Sequence, residues 1–379
     1  MLILQLTLGK RRRKMVKAQF RSTVFFFLGL WLAPNAHAEP IPTPSGKYNV
    51  GIQRHLVPFI NKNDPTWPNE VSTEYLVTLY YPTPDEAAEP SPYVEPELAQ
   101  LYTDFSGWNF SHLTSTMRKD ASFLSKPAGP TLLFGPGGWG PSTDSDGILL
   151  SELASHGYII AALDHIFEQP FLRLPNGTGI YGLAIDFNGD FEYIQALHEV
   201  RVREMVHFAG FLPKLAAKLH APFKTDKLGA FGHSLGGSSS LNAALETDKI
   251  AAAINMDGTN FGRLNTTSDS LNKPSLLLGF DGHTPEIDDT WEKFFKWQKG
   301  WWRLSTVIDA KHNDWTDMTF WKKWGTTRPL GAIDGDRMVA LRNRYVKAFF
   351  DEHLLGKDDA ILDGPSEDWP EVNYIQGNQ

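Results

Sequence analysis

Residues 228–245 read Leu-Gly-Ala-Phe-Gly-His-Ser-Leu-Gly-Gly-Ser-Ser-Ser-Leu-Asn-Ala-Ala-Leu, and this stretch decides the fold. Its apolar start, residues 228–231, predicts a strand, and residues 235–245 predict a helix rich in small side chains. The motif Gly-x-Ser-x-Gly at residues 232–236 lies between them. A serine on so sharp a turn needs strained backbone angles, and flanking glycines remove Cβ atoms that would collide. We therefore predict that Ser234 is a nucleophile.

Two backbone N–H groups are expected to stabilise the oxyanion that such a nucleophile creates. The first is that of Leu235, because the positive end of the helix begins there. The second should come from the glycine-rich loop Gly-Pro-Gly-Gly-Trp-Gly at residues 135–140, which follows another apolar run. Glycines let this loop turn its N–H groups toward a pocket, and Gly138 or Trp139 is the predicted donor.

Strands and helices alternate from residue 131 onward, which predicts the fold class. Continuous apolar strands separated by helices indicate a mostly parallel sheet covered on both faces, an α/β architecture. Together with the serine motif, this predicts an α/β-hydrolase fold. One domain over residues 39–379 fits better than two. Residues 83–128 carry many Pro, Ser and Glu without a clear period, and are predicted to form an insertion or lid-like segment.

The base and the acid of the predicted triad each have two candidates. In this fold the order along the chain is serine, acid, histidine, so the base should follow a late strand. His312 lies in such a loop and is favoured over His283, which follows an earlier strand. Asp257 and Asp281 each end a predicted strand, where catalytic groups gather. Position alone does not decide between these two acids.

Composition excludes several classes of site. The formal net charge of −8 and the pI near 5.8 argue against a nucleic-acid partner, because phosphate binding needs a clustered positive field. The chain has no cysteine, which excludes disulfides, thiolate nucleophiles and cysteine-based zinc sites. The predicted chemistry needs neither a cofactor nor a metal.

The N-terminus has the layout of a secretory signal peptide. Five basic residues at 10–14 precede an apolar run at 24–32, and Ala-His-Ala at 36–38 is a cleavage pattern. We expect cleavage after residue 38 and a secreted protein; Met15 is an alternative start and an uncleaved anchor an alternative fate. Three N-glycosylation sequons, which permit a glycoprotein, begin at Asn109, Asn176 and Asn265.

Four segments together carry a family resemblance. They are the strand YLVTLYYP at residues 75–82, LASHGYIIAALDH at 153–165, GHSLGG at 232–237 and VIDAKHNDWTD at 307–317. In these segments the chain resembles the platelet-activating factor acetylhydrolase family of the plasma type, with gaps, over about residues 46–355. Pro136 stands where many hydrolases carry a histidine in the oxyanion loop.

The resemblance implies a calcium-independent serine lipase, a 1-alkyl-2-acetylglycerophosphocholine esterase, that removes short or oxidised sn-2 acyl chains from phospholipids. It places the acid after the strand that follows the elbow helix, which maps onto Asp257, and the base onto His312. A general esterase or polyester hydrolase of the same fold, and a non-catalytic binding protein, are the alternatives.

Seven of the twelve tryptophans lie between Trp291 and Trp324, interleaved with lysines. Aromatic and cationic side chains together suit a lipid–water interface, so this segment is a candidate for lipid contact. The helical spacing of Trp291, Phe294, Phe295 and Trp302 also fits core packing, which is the favoured interpretation. His165, at the end of a predicted strand, is expected to be buried and structural.

Overall fold

A ten-stranded sheet forms the centre of the protein, whose computed structural model describes residues 38–378 apart from 107–109, 139, 141, 184–189 and 326–328. Residues 38–379 make up one compact unit. Nearly all of the predicted signal peptide, Trp139 and the sequon residue Asn109 lie outside the described residues. None of the described helices combines the length and hydropathy needed to cross a membrane.

The strands of this sheet are labelled in chain order. They are β1 (Asn49–Lys62), β2 (Val71–Thr83), β3 (Arg118–Lys119), β4 (Thr131–Gly135), β5 (Ile159–Asp164), β6 (Leu228–His233), β7 (Ile250–Met256), β8 (Ser275–Phe280), β9 (Trp302–Val307) and β10 (Val372–Gly377). Their spatial order is β10-β9-β8-β7-β6-β4-β5-β2-β1-β3.

The middle of the sheet is parallel and its margins are mixed. Strands β4 to β9 all pair in parallel, with Ala230 of β6 opposite Leu133 of β4 and Ala253 of β7. On the outer sides β10, β2 and β1 pair antiparallel, and the short β3 adds in parallel to β1. Parallel neighbours bring the carboxyl ends of β6, β7 and β8 to one edge, which is where the functional side chains gather.

Helices cover both faces of the sheet. They are α1 (Pro96–Ser106), α2 (Gly147–Ser155), α3 (Phe191–Leu219), α4 (Leu235–Glu246), α5 (Arg263–Thr266), α6 (Asp289–Trp297), α7 (Met318–Trp321) and α8 (Gly335–Leu355). Short 3-10 helices span Pro68–Glu70, Thr143–Asp146, His312–Trp315, Lys322–Trp324 and Ala360–Leu362. Small strands outside the main sheet are Glu39–Pro40, Ser91–Pro92, Leu113–Ser115, Phe171–Arg173 and Gly179–Tyr181.

Alternation along the central strands divides the core into two layers. In β4, Leu132 and Phe134 pack with α2 and α8, whereas Leu133 packs on the opposite face with α3, α4 and α6. A strand with apolar residues on both faces must be buried on both, as in a parallel sheet between helices. The predicted α/β-hydrolase architecture is confirmed, and the antiparallel margins add to the mostly parallel sheet expected from the sequence.

The described residues of the predicted insertion, residues 83–128, share a small core with α7 and neighbouring elements. Leu98, Phe110 and Leu113 pack against Phe320 and Trp321 of α7. The end of the insertion supplies β3, which pairs with β1. This segment therefore joins the edge of the main sheet to the region that follows His312.

Candidate active site

Ser234 stands on a strained turn between β6 and α4. Its backbone angles are φ 55° and ψ −123°, and it is the residue immediately before the helix. A non-glycine residue in this conformation costs about 1–3 kcal/mol, which the surroundings must offset. The Ser234 N–H donates to the carbonyl oxygen of Met256 at 2.8 Å, which ties the turn to β7.

The two glycines of the motif are required by close backbone contacts. A Cβ atom on Gly232 would lie 2.4 Å from the carbonyl oxygen of Gly135, and one on Gly236 would lie 2.1 Å from the same oxygen. No side chain fits at either separation. The glycines therefore let the elbow pack directly onto the end of β4, where the predicted oxyanion loop begins.

His312 and Asp257, the favoured base and acid, are joined by a hydrogen bond. The Nδ1 of His312 lies 2.5 Å from Oδ2 of Asp257. Asp257 follows β7 with a φ of 62°, and its side chain is fully buried, whereas the His312 side chain is 44% exposed. A carboxylate on Nδ1 holds the proton there, which leaves Nε2 free to accept a proton from a nucleophile.

Of the two candidate acids, only Asp257 contacts a histidine of the site. Asp281 is exposed, and its carboxylate accepts the backbone N–H of Asp309 at 3.2 Å. The rival base His283 lies on Asp257 as well, with its Nδ1 2.7 Å from Oδ1. The structure thus brings both candidate histidines to one carboxylate, an arrangement that the sequence did not suggest.

Hydrogen bonds keep Asp257 ionised in spite of its burial. Burial alone would raise the pKa of this carboxyl, but the bonds from His283 and His312 outweigh it and hold the pKa below its ordinary value. The N–H of Phe280 also donates to Oδ1 at 2.9 Å. A charged, fixed carboxylate is what a triad base needs to stabilise its protonated form.

The predicted oxyanion loop is held from behind by Arg201, a buried residue of α3. Its guanidinium donates to the carbonyl oxygens of Pro136 at 2.5 Å and Gly137 at 3.2 Å. The described part of the chain has no cis peptide bond, and the C=O and N–H of a trans peptide point in opposite directions. These two bonds therefore turn the N–H groups of Gly137 and Gly138 away from Arg201.

Glu168 neutralises this buried cation. It accepts two hydrogen bonds from Arg201, at 3.0 Å and 2.5 Å, and both side chains are almost completely buried. A bidentate pair fixes the guanidinium in orientation as well as charge. Sequence reasoning missed both residues, because nothing in the pattern of α3 distinguishes Arg201 from a charge on the solvent face.

His233, the variable residue before the serine, is also part of the support. Its Nε2 donates to the backbone carbonyl oxygen of His312 at 2.9 Å. Burial, with His312 nearby, lowers the pKa of His233 to about 3, so the ring is neutral. The sequence offered no signal for this contact, because it joins residues that are far apart in the chain.

A cavity of about 580 Å³ connects these groups. Ser234, Leu235, Gly138, Asp257 and His312 line it together with apolar residues, namely Ile194, Phe261, Phe280 and Ile287. The cavity thus contains the favoured triad, the described oxyanion donors and the rival base His283, but not the rival acid Asp281, while Trp139 lies outside the described residues. Among the described residues of the insertion 83–128, none lines it.

The remaining predicted residues lie in other surroundings. His165 is buried, with Nδ1 2.5 Å from a Glu204 carboxylate oxygen, and Asn176 is exposed. Four tryptophans of the tryptophan-rich segment are buried, whereas Trp297 is 39% exposed; the four are Trp291, Trp302, Trp315 and Trp321. Within the described part of the chain, no group of three or more His, Asp or Glu side chains could hold a metal ion.

The sheet order and the elbow define the class: the chain has the α/β-hydrolase fold and is similar to esterases of that fold. A ferulic acid esterase from Streptomyces cinnamoneus is similar in structure, with a TM-score of 0.74 and 28% sequence identity. The match covers 89% of this chain and 100% of that one. No protein-family model matches the chain.

Two curated relatives confirm the resemblance stated from the sequence. A probable 1-alkyl-2-acetylglycerophosphocholine esterase of Arthroderma benhamiae is 28% identical over 268 residues, covering 65% of this chain. The match spans 66% of that relative, slightly under two thirds of its length. The platelet-activating factor acetylhydrolase of Bos taurus is 21% identical over 388 residues, covering 88% of this chain and 83% of the relative.

Proposed function

We propose that this protein is a serine carboxylic ester hydrolase that acts through an acyl-enzyme. The observation that carries the proposal is the strained Ser234 in one cavity with His312, whose ring is held by the buried Asp257. A serine hydroxyl is a weak nucleophile at neutral pH and needs an adjacent base. This constellation supplies the base and the group that orients it.

In the proposed reaction, Ser234 Oγ attacks the acyl carbonyl carbon while His312 Nε2 takes the hydroxyl proton. The N–H groups of Leu235 and Gly138 stabilise the oxyanion, each by about 2.7–4 kcal/mol. Collapse of the tetrahedral intermediate breaks the ester bond, and His312 returns the proton to the leaving alcohol. Water then attacks the acyl-enzyme by the same route and releases the acid.

The proposed substrate class is a phospholipid with a short or modified sn-2 acyl chain. The name of the Arthroderma benhamiae relative, a probable 1-alkyl-2-acetylglycerophosphocholine esterase, supports it, as does that of the Bos taurus relative. The apolar residues Ile194, Phe261, Phe280 and Ile287 around Ser234 would contact an acyl chain or a glycerol backbone. Nothing in the proposed chemistry requires calcium.

A general esterase, including one that cleaves polyesters or aromatic esters, is the second candidate. It is favoured by the similarity to a ferulic acid esterase, which covers that whole chain. A panel of p-nitrophenyl esters of rising acyl length, ethyl ferulate, an insoluble polyester and an sn-2 acetyl phospholipid would separate the two. Turnover of the other esters without phospholipid cleavage would reject the first substrate class.

Labelling with a fluorophosphonate probe tests the proposed activity itself. We expect the wild-type protein to be labelled and the Ser234→Ala variant to remain unlabelled. An unlabelled wild type would favour a non-catalytic binding protein instead. Labelling that persists in Ser234→Ala would reject Ser234 as the nucleophile.

Secretion and contact with a lipid surface belong to the same proposal. Secretion is supported by the signal-peptide layout at residues 1–38, and mass spectrometry of the mature N-terminus and of Asn176 would test cleavage and glycosylation. Lipid contact through the tryptophan-rich segment would rest chiefly on Trp297, because the four buried tryptophans pack inside the fold. Co-sedimentation of wild type and Trp297→Ala with phosphatidylcholine vesicles tests it.

A further inference from the structure

His283 is buried beside the triad carboxylate, at the wall of the cavity that contains Ser234. Its ring stacks on Trp291 with centroids 3.8 Å apart and an angle of 14°, and Phe280 lies against it with centroids 5.2 Å apart. The indole N–H of Trp291 donates to the carbonyl oxygen of Gly258 at 2.8 Å, so the stacking partner is itself fixed. Only 7% of the His283 side chain is exposed.

Both ring nitrogens of His283 face carboxylates. Nδ1 lies 2.7 Å from Oδ1 of Asp257, and Nε2 lies 3.1 Å from Oδ2 of Asp288. A neutral imidazole carries one N–H and could donate to only one of these acceptors, leaving a lone pair directed at the other carboxylate. The imidazolium donates to both. The geometry therefore selects the charged ring.

Asp288 is itself held in place at the start of α6. Its Oδ1 accepts from the N–H of Thr290 at 2.9 Å and from the Thr290 hydroxyl at 2.6 Å, which makes it the cap of that helix. A chain of contacts thus runs from α6 through Asp288, His283 and Asp257 to His312. Its two ends are a helix cap and the predicted base.

The other charged groups near His283 do not displace this pairing. Asp289 is exposed beside Lys293, and Asp281 and Glu286 are exposed in the loop that carries His283. His312, at the start of the 3-10 helix that follows β9, lies on the other oxygen of Asp257. Burial alone would lower the pKa of His283, but Asp257 and Asp288 outweigh it and raise that pKa to about 9.

We propose that His283 is a positioning residue for the triad: as an imidazolium bridging Asp257 and Asp288, it fixes the Asp257 carboxylate and offsets part of its charge. The proposal rests on the proposed function, in which His312 is the base. With Oδ1 bound by His283 and by the N–H of Phe280, the carboxylate cannot rotate, and Oδ2 stays directed at His312.

The offset charge has a consequence for the pH dependence. Without the His283 cation, Asp257 would present its whole negative charge to His312 and favour the protonated imidazole, which cannot act as a base. The acid limb of the kcat/KM profile would then move to higher pH. Removal of one unit charge from the opposite side of Asp257 should shift this midpoint by about one pH unit.

The test compares His283→Phe with the wild type, because phenylalanine keeps the stack on Trp291 and removes both hydrogen bonds. We expect kcat for p-nitrophenyl acetate to fall about tenfold with KM little changed, and the acid-limb midpoint to rise by about one pH unit. An unchanged profile and kcat would overturn the proposal. The control His220→Asn, at the exposed left-handed end of α3, is expected to keep the wild-type profile.

A second measurement does not depend on activity or on the Phe variant folding. NMR titration of protein labelled with 15N-histidine should show one imidazole ring that stays protonated to about pH 9. Its signal is assigned to His283 by its absence from His283→Phe or by selective labelling. Asp288→Asn, which keeps a helix cap but loses a charge, should lower that midpoint. A His283 that titrates near 6.5 would refute the bridge even if Ser234 reacts with fluorophosphonate.

Discussion

The imidazole of His233 donates to the backbone carbonyl oxygen of His312 at 2.9 Å. The residue before the nucleophile thus holds the main chain of the predicted base. Because His233 ends β6 and His312 follows β9, this bond bridges the two strands that lie between them, β7 and β8, and sets the position of the His312 loop relative to the elbow. It gives the variable position of the serine motif a defined structural role.

Loss of this bond should slow catalysis more than it weakens substrate binding. We expect His233→Phe to lower kcat about tenfold with little change in KM, since one buried hydrogen bond is worth about 1 kcal/mol and its loss misplaces the base. Steady-state kinetics with p-nitrophenyl acetate measures this. His233→Gln, which retains an N–H donor, should recover part of the rate; equal kcat in all three proteins would contradict the role.

Replacement of the acid distinguishes Asp257 from Asp281. Asp257→Asn should lower kcat by about four orders of magnitude, because an amide at this position favours the wrong tautomer of His312. Asp281→Asn is the matched control and should retain wild-type kcat, since its exposed carboxylate accepts a backbone N–H at the surface. Comparable losses in the two variants would argue against Asp257 as the triad acid.

Arg201 offers a test of the oxyanion loop. Arg201→Met removes the donor to Pro136 and Gly137 and leaves Glu168 buried without its cation, a change that costs about 3–5 kcal/mol of unfolding free energy. We expect kcat to fall about a hundredfold as the loop N–H groups lose their orientation.

The double variant Arg201→Met, Glu168→Leu separates these two effects. It should recover much of the unfolding free energy, measured by urea denaturation, because no unpaired charge remains. It should not recover kcat, because the two carbonyl oxygens still lack their donor. Recovery of both quantities together would show that Arg201 acts only through stability.

Two glycines in helices should respond in opposite ways to alanine. Gly236→Ala would place a Cβ 2.1 Å from the carbonyl oxygen of Gly135, so the elbow must move and both stability and kcat should fall steeply. Gly210→Ala lies exposed in α3, where, apart from the local helix backbone, no atom of the described residues would lie within 4 Å of the new Cβ, and it should stabilise the protein by about 0.5–1 kcal/mol. Thermal unfolding and ester hydrolysis of the two variants provide the comparison.

The raised pKa of His283, about 9, also predicts how stability depends on pH. A group whose pKa is higher in the folded state adds to the free energy of unfolding. The full contribution is present below the pKa of the unfolded state, near 6.5, and it is lost as the pH rises through about 9. The shift corresponds to about 3 kcal/mol. Urea denaturation between pH 6 and pH 10 should show that the free energy of unfolding declines with pH, and that it declines less in His283→Phe than in the wild type. An equal decline in the two proteins would contradict this prediction.

Much of the fold follows from local sequence. The central strands are apolar on both faces, the helix predicted over residues 235–245 is α4, and α8 ends at Gly356 in the left-handed conformation that glycine adopts without cost. The elbow is predictable for a related reason: its glycines are required because the backbone of so sharp a turn leaves no room for a Cβ atom. Such signals are contained in a few consecutive residues.

The rest of the site depends on contacts between distant elements. Asp257 and Asp281 each follow a strand directly, and only the packed sheet shows that one carboxylate is buried against two histidines while the other faces solvent. Arg201 looks like any charge on an amphipathic helix until its partners appear. The pattern of the tryptophans is ambiguous because helical spacing fits both a core and an interface. Four of the seven in the tryptophan-rich segment are buried in the fold and therefore belong to the core.

The small core that joins the insertion to α7 has a consequence for protein engineering. Phe320 and Trp321, which continue the segment that begins at His312, are covered by Leu98, Phe110 and Leu113 of residues 83–128. An engineer who excised this insertion to widen access to the cavity would instead uncover two large aromatic side chains. The deletion would remove the packing on the segment that follows His312 and expose a contiguous apolar surface, which favours aggregation.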